Sequence, residues 1–294
     1  MRVRLIVSPY DSGQKLRRMG CGPDRLLDEG LAAALEADGS NVEVRRIELT
    51  EAFPSEIAVG FAAMRAVSMQ VAAALRDRAL PVVLAGNCNT TVGAVAGLGA
   101  ERSGVLWLDA HGDINTPDSS ESGFLDGMGV AVLTGRAWTR LAQSVPGFTP
   151  LPDARLILAG VRDLDPDEKA LLTRSAISVV NDATIRKAGA EAALGPVLTE
   201  LSKRIGSLHL HLDLDVHDAA VAPANHFRPL GGLTPAEVGA VIEATVARLP
   251  LGSLAVTAYD PSVDPSGITA AAAIDHVRRA VSGAAEQRRA RRSA

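Results

Sequence analysis

The sequence has few cysteines, no strong excess of either charge and no long hydrophobic run. Its two cysteines, Cys21 and Cys88, lie far apart among 294 residues and do not form a disulfide framework. We therefore expect free thiols in a reducing, cytoplasmic compartment. The formal net charge of -4 shows no excess of basic charge of the kind that binds nucleic acid. No apolar run reaches about 18 residues, and the start is too short and polar for a secretory signal, so we expect no membrane segment.

Short apolar segments alternate with longer segments of helical periodicity along the chain. The short segments are rich in Leu, Val and Ile and predict buried strands at 3–8, 81–86, 104–110, 155–160, 177–180, 208–215 and 253–258. The longer segments predict helices at about 23–37, 58–79, 90–100, 166–175, 184–204, 234–248 and 267–284. This alternation predicts an α/β fold with a parallel sheet between two helical layers. Because no linker or repeat divides residues 1–294, we expect a single domain, with about 285–294 as a flexible Arg-rich tail.

The predicted strand with the sequence LHLHLDLD, at 208–215, alternates leucine with ionisable residues. Side chains alternate between the two faces of a strand, so His209, His211, Asp213 and Asp215 share one face. We expect His209 to be a hydrogen-bonded core residue. His211 is predicted either to orient a metal ligand or to be a plain core residue.

Acidic and polar residues follow several predicted strands at their carboxyl ends, where parallel α/β sheets bind ligands. Asp109, His111 and Asp113 are spaced at i, i+2 and i+4, so all three can point the same way as the strand ends. Together with Asp213 and Asp215 they bring four carboxylates to one place, where without a cation they would repel one another. The number of ligands suits two divalent metals, and the mixture of oxygen and imidazole favours Mn²⁺. The alternative is that these residues serve as helix caps, turn residues and surface charges.

Four segments of the chain resemble motifs of the ureohydrolase family, which includes arginase, agmatinase and formimidoylglutamase. They are PYDSGQKLRRMGCGPDRLL, LDAHGDINTP, GVRDLDPDE, and HLDLDVHDAAVAPA followed by GGLT. The resemblance implies a three-layer α/β/α sandwich that assembles into trimers or hexamers. It also implies a site with two Mn²⁺ ions bridged by hydroxide.

The same resemblance implies roles for individual residues. Asp109 and Asp213 would each contact both metals, Asp113 would bind one metal, and His111 and Asp215 would bind the other. The hydroxide would attack the guanidino carbon of a small-molecule substrate, since two metals lower the pKa of a bridging water. Asp113 would carry the proton to the leaving amine.

Three positions depart from the family's pattern. Cys88 stands where a histidine normally binds the first metal; a thiolate can replace it, although sulfur is soft and Mn²⁺ prefers oxygen. The alternative for Cys88 is a small buried hydrophobic residue. Asp126 aligns with a catalytic histidine, and Ala258 aligns with the carboxylate that grips the guanidinium. We hypothesise that Asp126 takes over part of the cation binding; Asp260 is its rival for this role.

Other positions bear on the substrate. Asn115, Ser122 and Asp165 align with residues that hold the amino acid head of arginine, although Asn115 and Ser122 can also make ordinary turn hydrogen bonds. Cys88 and the segment DSSESGFLDGM resemble the branch that hydrolyses Nω-hydroxy-L-arginine in D-cycloserine biosynthesis.

We therefore predict a manganese-dependent hydrolase of an arginine-like or Nω-hydroxyarginine-like amino acid, which releases urea or hydroxyurea. One alternative is an amidine hydrolase that acts on agmatine-like or formimino substrates. The other is a catalytically weak member with a binding or regulatory role.

Overall fold

The centre of the fold is a sheet of eight parallel strands, which a computed structural model describes together with its helices for residues 1–49 and 55–293. The strands are β1 Arg2–Ser8, β2 Tyr10–Asp11, β3 Gln14–Lys15, β4 Asn41–Arg46, β5 Leu80–Ala85, β6 Ser103–Leu108, β7 Leu156–Ala159, β8 Ser178–Val180, β9 Ser207–Asp213 and β10 Leu251–Thr257. The helices are α1 Gly22–Asp28, α2 Leu31–Ala37, α3 Glu56–Arg76, α4 Thr91–Leu98, α5 Gly129–Leu133, α6 Thr139–Ala142, α7 Pro166–Arg174, α8 Asp182–Ala188, α9 Ala190–Ser202, α10 Pro235–Arg248 and α11 Ile268–Ser293.

The strand order explains where a site can form. The large sheet runs β4-β1-β5-β10-β9-β6-β7-β8, and β2 and β3 form a separate antiparallel hairpin. Although β5 and β6 are neighbours among the large sheet's strands in the sequence, β10 and β9 lie between them in the sheet. The carboxyl ends of these four parallel strands therefore meet at one edge, as the sequence predicts.

Helices cover both faces of the sheet, so the predicted three-layer α/β/α sandwich is confirmed. Leu208, Leu210 and Leu212 of β9 pack into the hydrophobic cluster formed with α9, α10 and α11. On the opposite face, Trp107 of β6 packs into the cluster formed with α3 and α4. Each leucine that is fully buried in this way stabilises the fold by about 1.5–3 kcal/mol. The residues that alternate with these leucines, including His211, are left on the face of Trp107.

Helix α3 is long and apolar enough to cross a membrane by length and composition alone. In this fold it is a core helix, because Val67 and Val71 are fully buried against the sheet. Ser55 caps the start of this helix, because its hydroxyl accepts a hydrogen bond from the backbone N–H of Ala58 at 3.2 Å.

Several elements differ from the prediction. The edge strand β4 was not predicted because most of its residues are exposed and half of them are charged, so it has no apolar run. The predicted helices at 23–37 and 184–204 are each divided in two, by Gly30 and Gly189, which have positive φ angles of 92° and 81°. Helix α11 continues to Ser293 through the Arg-rich segment that was predicted to be a flexible tail. Within this segment, Gln287 donates to the carbonyl of Leu249 at 3.0 Å and ties this turn of the helix to the end of α10.

Candidate metal centre

A cavity of about 170 Å³ opens at the carboxyl ends of the central strands. Its walls carry six aspartates and one glutamate, and no lysine or arginine is among the described residues that line it. The lining residues are Met19, Cys88, His111, Asp113, Asn115, Phe124, Asp126, Gly127, Asp163, Asp165, Glu168, Asp213, Asp215, Asn225, Phe227 and Ala258. The cavity is therefore strongly acidic.

The first of two donor clusters lies at the base of this cavity. Cys88, Asp109, His211 and Asp213 are all buried, and each offers one donor atom within 4.8 Å of the others. The thiol of Cys88 lies 2.7 Å from Oδ2 of Asp213, to which it donates. Gly86 sets the path of the loop that carries this thiol, because a Cβ at that position would lie 2.3 Å from the carbonyl oxygen of Tyr10.

The second donor cluster shares one residue with the first. Asp109, His111 and Asp215 offer donor atoms within 4.8 Å of one another. Nδ1 of His111 lies 3.4 Å from Oδ1 of Asp109 and 3.3 Å from Oδ2 of Asp215. Because Asp109 belongs to both clusters, its carboxylate connects two positions that a metal ion can occupy.

Turns at the strand ends, rather than the strands themselves, present most of these donors. Strand β9 ends at Asp213, and Asp215 lies on the 3₁₀ turn that follows, where its backbone N–H donates to Oδ1 of Asp213 at 2.8 Å. The guanidinium of Arg162 donates to the carbonyl oxygens of Asp215 at 2.8 Å and of His217 at 3.1 Å. Arg162 thereby fixes the turn from outside the cavity.

Asp113 does not follow the predicted i, i+2, i+4 alternation. Strand β6 ends at Leu108, and Asp113 has a φ of 48°, in the left-handed region that few residues other than glycine adopt. This turn places Asp113 on the cavity wall but outside both donor clusters. Its Oδ2 atom is buried and has no hydrogen-bond partner among the described residues. A buried carboxylate oxygen without a partner is costly, so this atom is suited to a cation.

The buried carboxyl groups oppose one another's ionisation. Burial raises the pKa of Asp213 well above its usual value, and the charges of Asp215 and Asp109 raise it further. Burial and the charge of Asp109 likewise raise the pKa of Asp113. Burial also raises the pKa of Asp109, but the nearby imidazoles of His111 and His211 outweigh this effect and lower it. A divalent cation would allow all of these groups to ionise together.

Two donors must lose a proton before they can bind a metal. Burial lowers the pKa of His111, but the carboxylates of Asp215 and Asp109 outweigh this effect and raise it well above the usual value. Burial raises the pKa of the Cys88 thiol, and the charge of Asp213 adds to this effect. A cation would have to displace both protons. The sulfur, nitrogen and oxygen donors, together with the Oδ2 atom of Asp113, unpaired among the described residues, therefore suit the binding of divalent metal ions.

Asp126 lies deep in the cavity wall and is held by its neighbours. Its carboxylate accepts hydrogen bonds from Nδ2 of Asn87 at 2.8 Å and from the backbone N–H of Asn89 at 2.9 Å. Burial raises the pKa of Asp126 to about 8, although these hydrogen bonds act in the opposite direction. Its rival, Asp260, does not line the cavity and instead accepts from the backbone N–H of Ser262 at 3.0 Å.

The predicted substrate-binding residues are only partly brought together. Asn115 lines the cavity and donates from Nδ2 to Oδ2 of Asp165 at 2.8 Å, so these two residues form one polar group. Ser122 lies outside the cavity lining and is exposed. Its hydroxyl accepts from the backbone N–H of Phe124 at 3.2 Å, which is the turn hydrogen bond considered as its alternative role.

The sequence did not reveal several residues of the cavity. Glu168 joins two segments of the wall, because it accepts from the backbone N–H groups of Ile114 at 3.0 Å and Asp165 at 2.9 Å. The rings of Phe124 and Phe227 stack at 5.1 Å beside the cavity. The capping pattern of DPDE could have indicated Glu168. No signal in the sequence pairs the two phenylalanines, which lie far apart along the chain.

The parallel sheet between two helical layers, with two acidic donor clusters at its carboxyl edge, is the arrangement that the resemblance to the ureohydrolase class implies. The chain belongs to the arginase family, whose family model matches residues 1–283. It is 29% identical over 286 residues to an arginase of Bacillus caldovelox, covering 92% of this chain and 95% of that protein. It is 30% identical over 280 residues to an arginase of Brevibacillus brevis, covering 90% of this chain and 93% of that protein.

A solved structure shows the same relation. The crystal structure of the Bacillus caldovelox arginase matches with a TM-score of 0.87 at 26% identity, and the match covers 95% of this chain and 97% of that chain. The predicted family and fold are therefore confirmed.

Proposed function

We propose that the chain hydrolyses the guanidino group of an arginine-like or Nω-hydroxyarginine-like amino acid and releases urea or hydroxyurea. The observation that carries this proposal is the acidic cavity, which has seven carboxylate side chains and no described lysine or arginine in its lining. Such a cavity favours a cationic ligand. The donor clusters at its base are suited to the metal chemistry of a hydrolase.

The residues that would hold two metal ions are those of the two donor clusters, together with Asp113. Manganese is our proposal for the cation. The thiolate of Cys88 would let the metal position in the first donor cluster bind softer metals as well. When bound, two divalent ions lower the pKa of water and so supply hydroxide as a nucleophile near neutral pH.

The protein's own residues would bind and orient the substrate. The carboxylate of Asp126 lies in the cavity wall with its two hydrogen-bond donors behind it, and we assign it to the guanidinium. A bound guanidinium would favour the ionised form of Asp126. We assign the ammonium group of the substrate to Asp165, which Asn115 holds in place. Ser122 is left out because it does not line the cavity.

Asp113 is the residue best suited to move a proton. Its Oδ2 atom is buried and has no hydrogen-bond partner in the described part of the chain, and burial raises the pKa of Asp113 well above the usual value. A carboxyl group whose pKa is raised in this way can hold a proton and pass it to a leaving amine near neutral pH.

A second candidate function follows from the same absence of positive charge. Without a described arginine or lysine in the lining, the carboxylate of an amino acid substrate could be bound only by neutral donors. A decarboxylated, agmatine-like substrate would not need such a partner. We therefore keep an agmatinase-like hydrolase as the alternative.

The decisive experiment is a substrate panel with the manganese-reconstituted protein. Urea and hydroxyurea would be measured with arginine, Nω-hydroxyarginine, agmatine and guanidinobutyrate. We expect turnover of one of the two amino acids. Preference for agmatine would support the alternative instead. If no substrate turns over and the protein retains no metal after reconstitution, the proposal is wrong and a binding or regulatory role is favoured.

The assignment of Asp126 has its own test. We expect Asp126→Asn to raise the KM of the cationic substrate about tenfold or more, because it removes the charge that faces the guanidinium. The matched variant Asp260→Asn should leave KM nearly unchanged, since Asp260 lies outside the cavity lining. An unchanged KM in Asp126→Asn would contradict the assignment.

We further propose a reducing cytoplasmic setting and assembly into trimers or hexamers. Cys21 and Cys88 are free thiols in the structure, which supports the first point. Membership of the arginase family supports the second. Sedimentation velocity of the purified protein would test the assembly, and a monomer at micromolar concentration would contradict it.

A further inference from the structure

His211 is held rigidly beneath the first donor cluster. It is fully buried, and its ring stacks on Trp107 with 3.8 Å between the ring centres and 24° between the planes. Its Nδ1 atom lies 2.7 Å from the hydroxyl of Thr91, at the start of α4. Two independent contacts thus fix both the plane and the rotation of the imidazole.

Among the described residues, the other nitrogen of this ring makes only long polar contacts. Nε2 of His211 lies 3.5 Å from the hydroxyl of Thr257 and 3.8 Å from Oδ2 of Asp109. The second distance is too long for a hydrogen bond, so His211 does not simply orient Asp109 by donating to it. When Nδ1 donates to Thr91, Nε2 carries a lone pair, and a nitrogen of this ring lies within 4.8 Å of the donor atoms of Cys88 and Asp213.

We propose that His211 is a metal ligand through Nε2, and that the first metal position has one sulfur, one nitrogen and two carboxylate donors. These would be Cys88, His211, Asp109 and Asp213. Thr91 holds the other ring nitrogen, as the partner of a metal-bound histidine normally does. A donor set with sulfur and nitrogen suits a borderline metal such as Zn²⁺ or Co²⁺ better than it suits Mn²⁺. This inference rests on the metal centre of the proposed function.

The direct test uses the unaltered protein, labelled with ¹⁵N-histidine and loaded with ¹¹³Cd²⁺. A bond between cadmium and an imidazole nitrogen gives a scalar coupling between the two nuclei. We expect two coupled histidines, His111 through Nδ1 and His211 through Nε2. Coupling at His111 alone would overturn this inference and leave the metal centre intact. If the protein binds no cadmium, cobalt or manganese, both this inference and the metal centre of the proposed function fail.

A pair of variants gives a second, independent readout. His209 lies on the same face of β9, is equally buried and is hydrogen-bonded to Ser253 at 2.7 Å, but it belongs to neither donor cluster. We expect His211→Asn to weaken Co²⁺ binding at one position by more than about 100-fold, beyond the 10–100-fold typical of a partner that only orients a ligand. His209→Asn should change it only a few-fold. Equal Co²⁺ affinities and absorption spectra in the two variants would overturn the inference.

Discussion

Asp126 shows how strongly the surroundings of one residue decide its charge. It is buried, and burial raises its pKa to about 8. In the unfolded chain an aspartate has a pKa of about 3.9. Between these two values the folded state keeps a proton that the unfolded state has lost. Raising the pH through this interval therefore favours unfolding.

The variant Asp126→Asn should remove this dependence. In metal-free protein, the free energy of unfolding of the variant relative to the unaltered protein should rise between about pH 4 and pH 8, by up to about 1.4 kcal/mol per pH unit. Above pH 8 the difference should become constant. Urea denaturation at a series of pH values measures it, with Asp260→Asn as the control. A difference that does not change with pH would contradict the raised pKa.

Ala258 is a residue in a conformation that its side chain disfavours. Its φ is 57°, and left-handed backbone costs an alanine roughly 1–2 kcal/mol relative to glycine. We expect Ala258→Gly to raise the free energy of unfolding by about 1 kcal/mol, as denaturant titration would show. The matched variant Ala255→Gly, in the interior of β10, should instead lower it by about 0.5–1 kcal/mol. Two changes of the same sign would contradict the strain at Ala258.

At the scale of elements, one guanidinium supplies many of the contacts that hold the turn after β9. Arg162 donates to the carbonyl oxygens of Asp215, Val216 and His217, and also to those of Pro229 and Leu230. These contacts join the turn that carries Asp215 to the loop that returns towards α10. The planar fork of five N–H donors makes this possible, and a lysine ammonium has only three.

We therefore expect Arg162→Lys to loosen the turn. The free energy of unfolding should fall by about 1–3 kcal/mol, because several buried carbonyl groups lose a donor. Amide hydrogen exchange should increase in residues 214–217. Arg155→Lys is the control, since Arg155 donates to the carbonyl of Glu101 at 2.6 Å, away from the cavity. Unchanged exchange in Arg162→Lys would contradict this role.

The elements that could be predicted from the sequence are those whose pattern is local. Strands buried on both faces, such as β5 and β6, have continuous apolar runs, and the polar and acidic residues that follow them point to the carboxyl edge. The edge strand β4 lacks such a run, and Asp113 reaches the cavity through a left-handed turn rather than strand alternation. The setting of His211 depends on contacts with Trp107 and Thr91 from other elements. The local sequence does not predict contacts of this kind.

At the scale of the whole molecule, metal binding should stabilise the fold. Both donor clusters exist only in the folded protein, so a cation at 100 times its Kd adds about 2.7 kcal/mol to the free energy of unfolding. We expect Mn²⁺ to raise the Tm and a chelator to lower it. The increase should be smaller at pH 6 than at pH 8, because the raised pKa of His111 makes the cation compete with a proton. A variant with Asp213→Asn and Asp215→Asn should show no Mn²⁺-dependent increase, and an equal increase would contradict the site.

The order of the strands has a consequence for how a newly made chain acquires its metal. Cys88 and Asp109 follow strands that are next to each other in synthesis, yet β9 and β10 must enter between those strands before the donors meet. The first donor cluster, which includes Cys88, therefore cannot assemble until β10, which ends at Thr257, has left the ribosome. We therefore expect a cation to enter this cluster only late in synthesis, and fragments that end before β10 should not bind a metal there.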